Sequence, residues 1–147
     1  MRPIGITVLF DAPADRVWAE LADLGSHPDW MRDAGTIEFV TDQTSGLGTE
    51  MRVPTRIGPF RTVDSMTVIE WVEGGVIAVE HVGAVSGVGR FEIEPDGPFT
   101  RMTWSESLRF PWWLGGPIGS WLARPILRSV WRGNLMRLGE RLEVRRP

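Results

Sequence analysis

The sequence has no cysteine, no lysine and no tyrosine, and its 147 residues include only two histidines, His27 and His81. Without cysteine there can be no disulfide, thiolate nucleophile or Cys-ligated zinc, and two histidines are too few for a histidine-built metal site. The expectation is no metal and no cofactor. Missing lysine and tyrosine remove Schiff-base chemistry and two common proton-transfer groups. Phosphate-loop and Ser-His-Asp patterns are also lacking, and Gly87-Val88-Gly89 lacks the third glycine and following helix of a dinucleotide fingerprint. The uncharged stretch 110–123 is broken by Pro111, Gly115, Gly116 and Pro117 and is too short to span a bilayer.

What is present is ordinary for a globular chain: 42% hydrophobic and 24% charged residues, in a length that suits one domain over 1–147. All sixteen basic residues are arginine, and tryptophan occurs eight times. Net charge is −3 but uneven. Residues 1–100 hold 7 arginines against 16 acids, whereas residues 101–147 hold 9 arginines against 3 acids. A basic element on an acidic body fits attraction between helix and sheet or a solvated helix face; nucleic-acid binding would want a basic whole domain, and no nucleic-acid partner is expected. The apolar run 3–10 meets Asp11, Asp15 and Arg16 without a small-residue cleavage pattern, so no signal peptide is expected and the chain is read as cytoplasmic.

Periodicity divides the chain. Ile4, Ile6, Val8 and Phe10 alternate with Gly5, Thr7 and Leu9, the period of a strand. The run Asp11-Ala12-Pro13-Ala14-Asp15 then starts a helix on which Val17, Leu21 and Leu24 share a face, widened by Trp18 and Ala22 and ended by Gly25. Residues 26–31 predict a second helical turn with Ser26 as its cap, Trp30 and Met31 pointing inward and His27 as a solvated turn residue. Six strand-like stretches follow at 36–41, 49–57, 59–71, Val76–Val82, 87–94 and 99–110. Their short Gly- and Pro-rich connections suit an antiparallel meander. Residues 114–143 return to helix, with Leu114, Ile118, Leu122, Ile126 and Val130 stepping by four and Trp131, Leu135, Leu138 and Leu142 continuing the stripe. Such a helix is roughly 45 Å long, and Pro125 should kink it or join two segments.

An α+β domain follows, in which a seven-stranded antiparallel sheet and a long apolar-faced helix bury their faces against each other. The order of one strand, two short helices, six strands and one long helix resembles the helix-grip, START-like or SRPBCC superfamily, which includes polyketide cyclase/dehydrase-like and lipid-transport proteins. The resemblance covers nearly the whole chain. It is carried by Phe10-Asp11-Ala12-Pro13-Ala14-Asp15-Arg16-Val17-Trp18, Pro28-Asp29-Trp30, Gly46-Leu47-Gly48-Thr49 and Phe99-Thr100-Arg101-Met102-Thr103-Trp104, which mark a fold and not a catalytic signature. It implies a curved sheet wrapped around the helix, and between them a cavity for a lipid, polyketide, steroid or similar apolar ligand.

Strand alternation nominates the residues facing such a cavity. In 99–110 the inward set is Met102, Trp104, Leu108 and Phe110, and Glu106 falls in the same phase. A carboxylate there pairs with an arginine or sits at the cavity mouth, or else it acts as an acid or orients a polar ligand group. In Val76–Val82 the apolar face is Ile77, Val79 and His81, which puts His81 inward beside Phe91 and Ile93, either simply hydrogen-bonded in place or moving protons. Met51, Val53, Met66 and Val68 are further inward candidates, equally explained by core packing, and Asp64 shares their phase as a polar contact. Trp30 and, from the helix, Ile118, Trp121, Leu122 and Ile126 complete the expected ligand wall. Trp112 and Trp113 form an entrance lip, a dimer contact, an interfacial anchor or plain packing across the sheet end.

Three functions compete. The poverty of catalytic side chains ranks carriage of a hydrophobic small molecule first. A polyketide cyclase, aromatase or dehydratase using His81 and Glu106 as acid and base ranks second. A membrane-surface or protein-interaction module built on Trp112, Trp113 and the basic helix ranks third.

Overall fold

A computed structural model describes residues 2–144. Strands β1 (Ile4–Phe10), β2 (Glu38–Phe39), β3 (Glu50–Ile57), β4 (Phe60–Val72), β5 (Val76–Val82), β6 (Ser86–Asp96) and β7 (Phe99–Arg109) form one sheet in the order β1-β7-β6-β5-β4-β3-β2. Every pairing is antiparallel. Helix α1 (Ala14–Ala22) and a 3-10 turn (Leu24–Asp29) follow β1, and helix α2 (Gly116–Val144) closes the chain after a second 3-10 turn (Trp112–Leu114). This is the helix-grip arrangement that the sequence order implied, a curved antiparallel sheet around a long helix.

Local chemistry accounts for most boundaries. Pro13, extended at φ −69° and ψ 155°, caps α1, and its carbonyl accepts from Arg16 N and Val17 N at 3.1 and 3.2 Å. Val17, Trp18 and Leu21 form the buried face of α1. Gly115 and Gly116 both take positive φ, 87° and 52°, which lets the chain turn sharply into α2 where a residue with a Cβ would be strained. A register shift between Val68 and Glu70 in β4 leaves Ile69 exposed and returns Trp71 to the core side, opposite Ile77.

The main core joins Ile4, Ile6 and Phe10 of β1 and Met102 of β7 to Val17 and Leu21 of α1 and Leu135, Leu138 and Leu142 of α2. Each such side chain contributes about 1.5–3 kcal/mol of transfer free energy. A smaller cluster, Leu24, Met51, Val53 and Val68, lies toward the β3 edge.

Several local expectations are corrected. Helix α1 ends at Ala22, and Gly25 and Ser26 both lie inside the 3-10 turn, where Ser26 Oγ donates back to Asp23 O at 2.7 Å instead of capping. The stretch 36–41 shrinks to the two-residue β2, because Val40 N and Thr41 N both turn to Glu50 O. His27 is not solvated: it is 7% exposed, and its Nε2 sits 2.8 Å from Leu21 O.

The largest correction concerns the first half of α2. A step of four overshoots a helical turn by about 40°, so a stripe built on repeated fours rotates toward the opposite face. Ile118 and Leu122 of that stripe point outward, at 70% and 59% exposure, as does Trp121 at 69%. The inward line runs instead through Ser120 and, seven residues on, Leu127, Trp131, Asn134, Leu138 and Leu142 at steps of three and four, with Leu135 beside it. The helix continues through Pro125 as one element.

Candidate functional site

Sheet and α2 enclose a cavity of about 410 Å³, within the ordinary range for a small-molecule site. The sheet contributes Met51, Val53, Met66, Val79, Phe91 and Leu108, while α2 contributes Ala123, Ile126, Leu127 and Trp131. Aromatic rings order one wall: Trp104 stacks on Trp131 with centroids 5.2 Å apart and meets Phe91 edge-on at 5.0 Å. Behind them, His27 lies 5.0 Å from Trp30 and 5.9 Å from Phe91.

A polar group is set into this apolar lining. His81 Nε2 is 3.0 Å from Glu106 Oε2, and Trp104 Nε1 donates to Glu106 Oε1 at 3.2 Å. Cross-strand register explains why Glu106 fits: it faces Gly89, and a Cβ on residue 89 would come within 2.6 Å of Oε1. Asp64 repeats the device. Its Oδ1 lies where a Cβ on Gly83 would be, 2.0 Å away, and its Oδ2 accepts from Thr55 Oγ1 at 2.9 Å. Asp64 Oδ1 has no hydrogen-bond partner among the described residues. Asp33 also faces the cavity and accepts from Asn134 Nδ2 at 2.7 Å.

Burial and pairing set the protonation tendencies. Burial drives the His81 pKa down, but the Glu106 hydrogen bond and charge, joined by the Asp64 charge, outweigh it and hold the imidazole above its ordinary value. Desolvation raises the Asp64 carboxyl despite the Thr55 hydrogen bond, and raises Asp33 despite Asn134. His27 goes the other way: burial lowers it to about 4, more than its bond to Leu21 O restores. No group of three or more His, Asp or Glu side chains placed to hold a metal occurs among the described residues.

Of the residues nominated from sequence, Met51, Val53, Met66, His81, Phe91, Trp104, Glu106, Leu108 and Ile126 line the cavity, as does Asp64. Trp30 and Val68, each 1% exposed, belong to the core and do not line it, and Ile118, Trp121 and Leu122 face away. His81 lies opposite Gly87, not beside Phe91, which faces Ile77. Glu106 pairs with His81 instead of an arginine. Trp112 and Trp113 are 87% and 55% exposed, between Phe110 and Leu114 of the lining. Sequence reading missed Leu24, His27, Asp33, Thr55, Leu127 and Trp131. The signal available for two of them was the three-four spacing Leu127, Trp131, Asn134, Leu138.

Comparison with known proteins agrees with this architecture. The structure resembles a START superfamily protein from Mycobacterium smegmatis (TM-score 0.75, 16% identity, covering 96% of this chain and 97% of that one). It also resembles the Zhui aromatase/cyclase from Streptomyces sp. R1128 (TM-score 0.66, 20% identity, 96% and 90% covered). A third likeness is the major latex-like protein 151 of Panax ginseng (TM-score 0.74, 10% identity, 95% and 96% covered). At these identities the likeness is one of fold. No curated protein matches the chain in sequence. The sequence profile of the family described as polyketide cyclase / dehydrase and lipid transport matches residues 4–145. The chain belongs to that family, within the START-like, SRPBCC superfamily.

Proposed function

We propose that the chain binds and carries a small, largely apolar molecule in the cavity between sheet and α2, with a polar group of that molecule turned toward His81, Glu106 and Asp64. The observation that carries this reading is the cavity itself: about 410 Å³ of space, lined mainly by Met, Val, Leu and aromatic side chains, with a few convergent polar groups. Met51 and Met66 suit ligands of irregular outline, because the unbranched thioether adapts its shape. Family membership favours the same class of ligand. Native mass spectrometry of the purified protein, followed by denaturing extraction, tests it. A stoichiometric apolar compound released on unfolding is expected; a clean apo mass together with no thermal shift from a lipid and polyketide panel would count against it.

One observation favours a second reading, an acid/base enzyme of the polyketide cyclase type. His81 and Glu106 form a partly buried imidazole–carboxylate pair at 3.0 Å, an arrangement suited to proton transfer. A raised His81 pKa favours the imidazolium, which suits donation to a carbonyl or a leaving hydroxyl better than abstraction. With a substrate in hand, His81→Gln and Glu106→Gln should each lose turnover while keeping affinity. Full activity in both would remove this reading.

A further inference from the structure

The cavity is poor in groups that recognise an anion. No arginine lines it among the described residues, although the chain has sixteen. The titratable lining holds three carboxyl groups, Asp33, Asp64 and Glu106, against two imidazoles, His81, which Glu106 already pairs, and His27, which burial keeps neutral. Most donors of the polar wall are already engaged by these acids: His81 Nε2 and Trp104 Nε1 by Glu106, the Asn134 amide by Asp33, and the Thr55 hydroxyl by Asp64, while His81 Nδ1 is buried and has no hydrogen-bond partner among the described residues. A ligand carboxylate or phosphate entering here would find no arginine, a single unpartnered ring nitrogen that is itself buried, and three acids beside it.

Acceptor capacity remains. Asp64 is 5% exposed, lines the cavity, and uses Oδ2 for Thr55 while Oδ1 rests against Gly83 with no hydrogen-bond partner among the described residues. An ionised carboxylate has about four lone-pair sites, and its terminal torsion is soft, so rotation about Cβ–Cγ offers an oxygen to the cavity. Burying one oxygen of such a group without a donor is unfavourable for the empty protein, and a donor supplied from outside relieves it.

We propose that Asp64 is the ligand-selecting residue of the cavity: it accepts from a hydroxyl or amine on an otherwise apolar ligand, and the surrounding acids refuse carboxylates and phosphates of the same shape. This rests on the cavity being a binding site, and it adds the chemical class of ligand.

Calorimetric titration with matched bicyclic probes tests it, using 2-naphthol, 2-(aminomethyl)naphthalene, 2-naphthoate and naphthalene. At least one of the two donor probes should bind about tenfold or more tighter than naphthalene and 2-naphthoate, as expected for one charge-assisted hydrogen bond. The tighter of the two identifies the donor as hydroxyl or amine. Asp64→Leu should abolish that preference and leave naphthalene affinity within about threefold, since one hydrogen bond is lost and the apolar wall remains. Asp64→Asn, which keeps the shape and removes the charge, should weaken the exclusion of 2-naphthoate and guards against a fold defect in the leucine variant. Equal binding of 2-naphthol, 2-(aminomethyl)naphthalene and 2-naphthoate, or an undiminished preference in Asp64→Leu, would overturn the role of Asp64 while leaving the cavity as a binding site. Failure of all four probes to bind would overturn both.

Discussion

The two halves of α2 differ in composition and do different work: before Leu127 the only charge is Arg124, and from Leu127 onward there are four arginines and two glutamates. From Leu127 onward the helix is fastened: Trp131, Leu135, Leu138 and Leu142 are buried, and polar groups on the flanks find specific partners. Arg137 Nε donates to Trp30 O at 3.1 Å, Arg141 Nε to Glu20 Oε2 at 2.7 Å, and Asn134 links Asp33 to Arg137. Before Leu127 the helix roofs the cavity with Ala123 and one side of the partly exposed Ile126, and exposes Ile118, Trp121 and Leu122. There Arg124 bonds the main-chain oxygens of Arg2 and Pro3. The fastened half determines where the helix sits, and the roofing half leaves beneath it the space that packing would otherwise fill.

That contrast sets the order of expected effects. Leu138→Ala, in the fastened half at 0% exposure, should cost about 2–5 kcal/mol in urea unfolding through lost burial and a residual cavity. A cost below about 1 kcal/mol would mean that this half is not the anchor.

The two histidines extend the contrast to pH. His27 has a folded pKa of about 4 against an ordinary 6.5, so the unfolded chain binds the extra proton. Its contribution is intact above the unfolded value and lost as pH falls from about 6.5 toward 4, by up to about 3 kcal/mol. His81 has the opposite sign: its folded pKa is raised, so its contribution is complete below the unfolded value and is lost as pH rises through the folded one. His27→Gln should flatten the acid limb of the stability profile; an unchanged limb would show that His27 is not buried as a neutral ring.

Smaller and more local is the effect of Glu106→Gln. With the carboxylate charge gone, burial dominates, and the His81 pKa read from imidazole NMR shifts should fall. No fall would break the pairing across β5 and β7. Smallest of all, Leu122→Ala and Trp121→Gln in the roofing half should each change unfolding stability by less than about 0.5 kcal/mol, because both side chains are mostly exposed.

The sequence made the sheet legible because period two runs unbroken through β5 and β7, whose phases put His81 and Glu106 inward, although the shift between Val68 and Glu70 interrupts it in β4. What alternation lacks is register. Only the cross-strand pairing of Gly89 with Glu106, and the approach of Asp64 to Gly83, show why the carboxylates have room. His27 was opaque for a different reason: Ser26-His27-Pro28-Asp29 reads as a solvated turn, and its burial depends on Trp30 and Phe91, the latter distant in sequence. In α2 the amino-terminal half is apolar on both faces, so hydrophobicity alone could not choose the inward one.

The eight tryptophans separate the inside of the cavity from the outside of the helix, which makes their indole N–H resonances the most direct test of cavity binding. In an NMR titration with 2-naphthol, the Trp104 and Trp131 signals, from rings lining the cavity, should shift together and saturate, while those of exposed Trp112, Trp113 and Trp121 stay in place. Shifts confined to Trp112, Trp113 and Trp121, with Trp104 and Trp131 unmoved, would put the ligand on the outer surface and contradict a carrier cavity between sheet and helix.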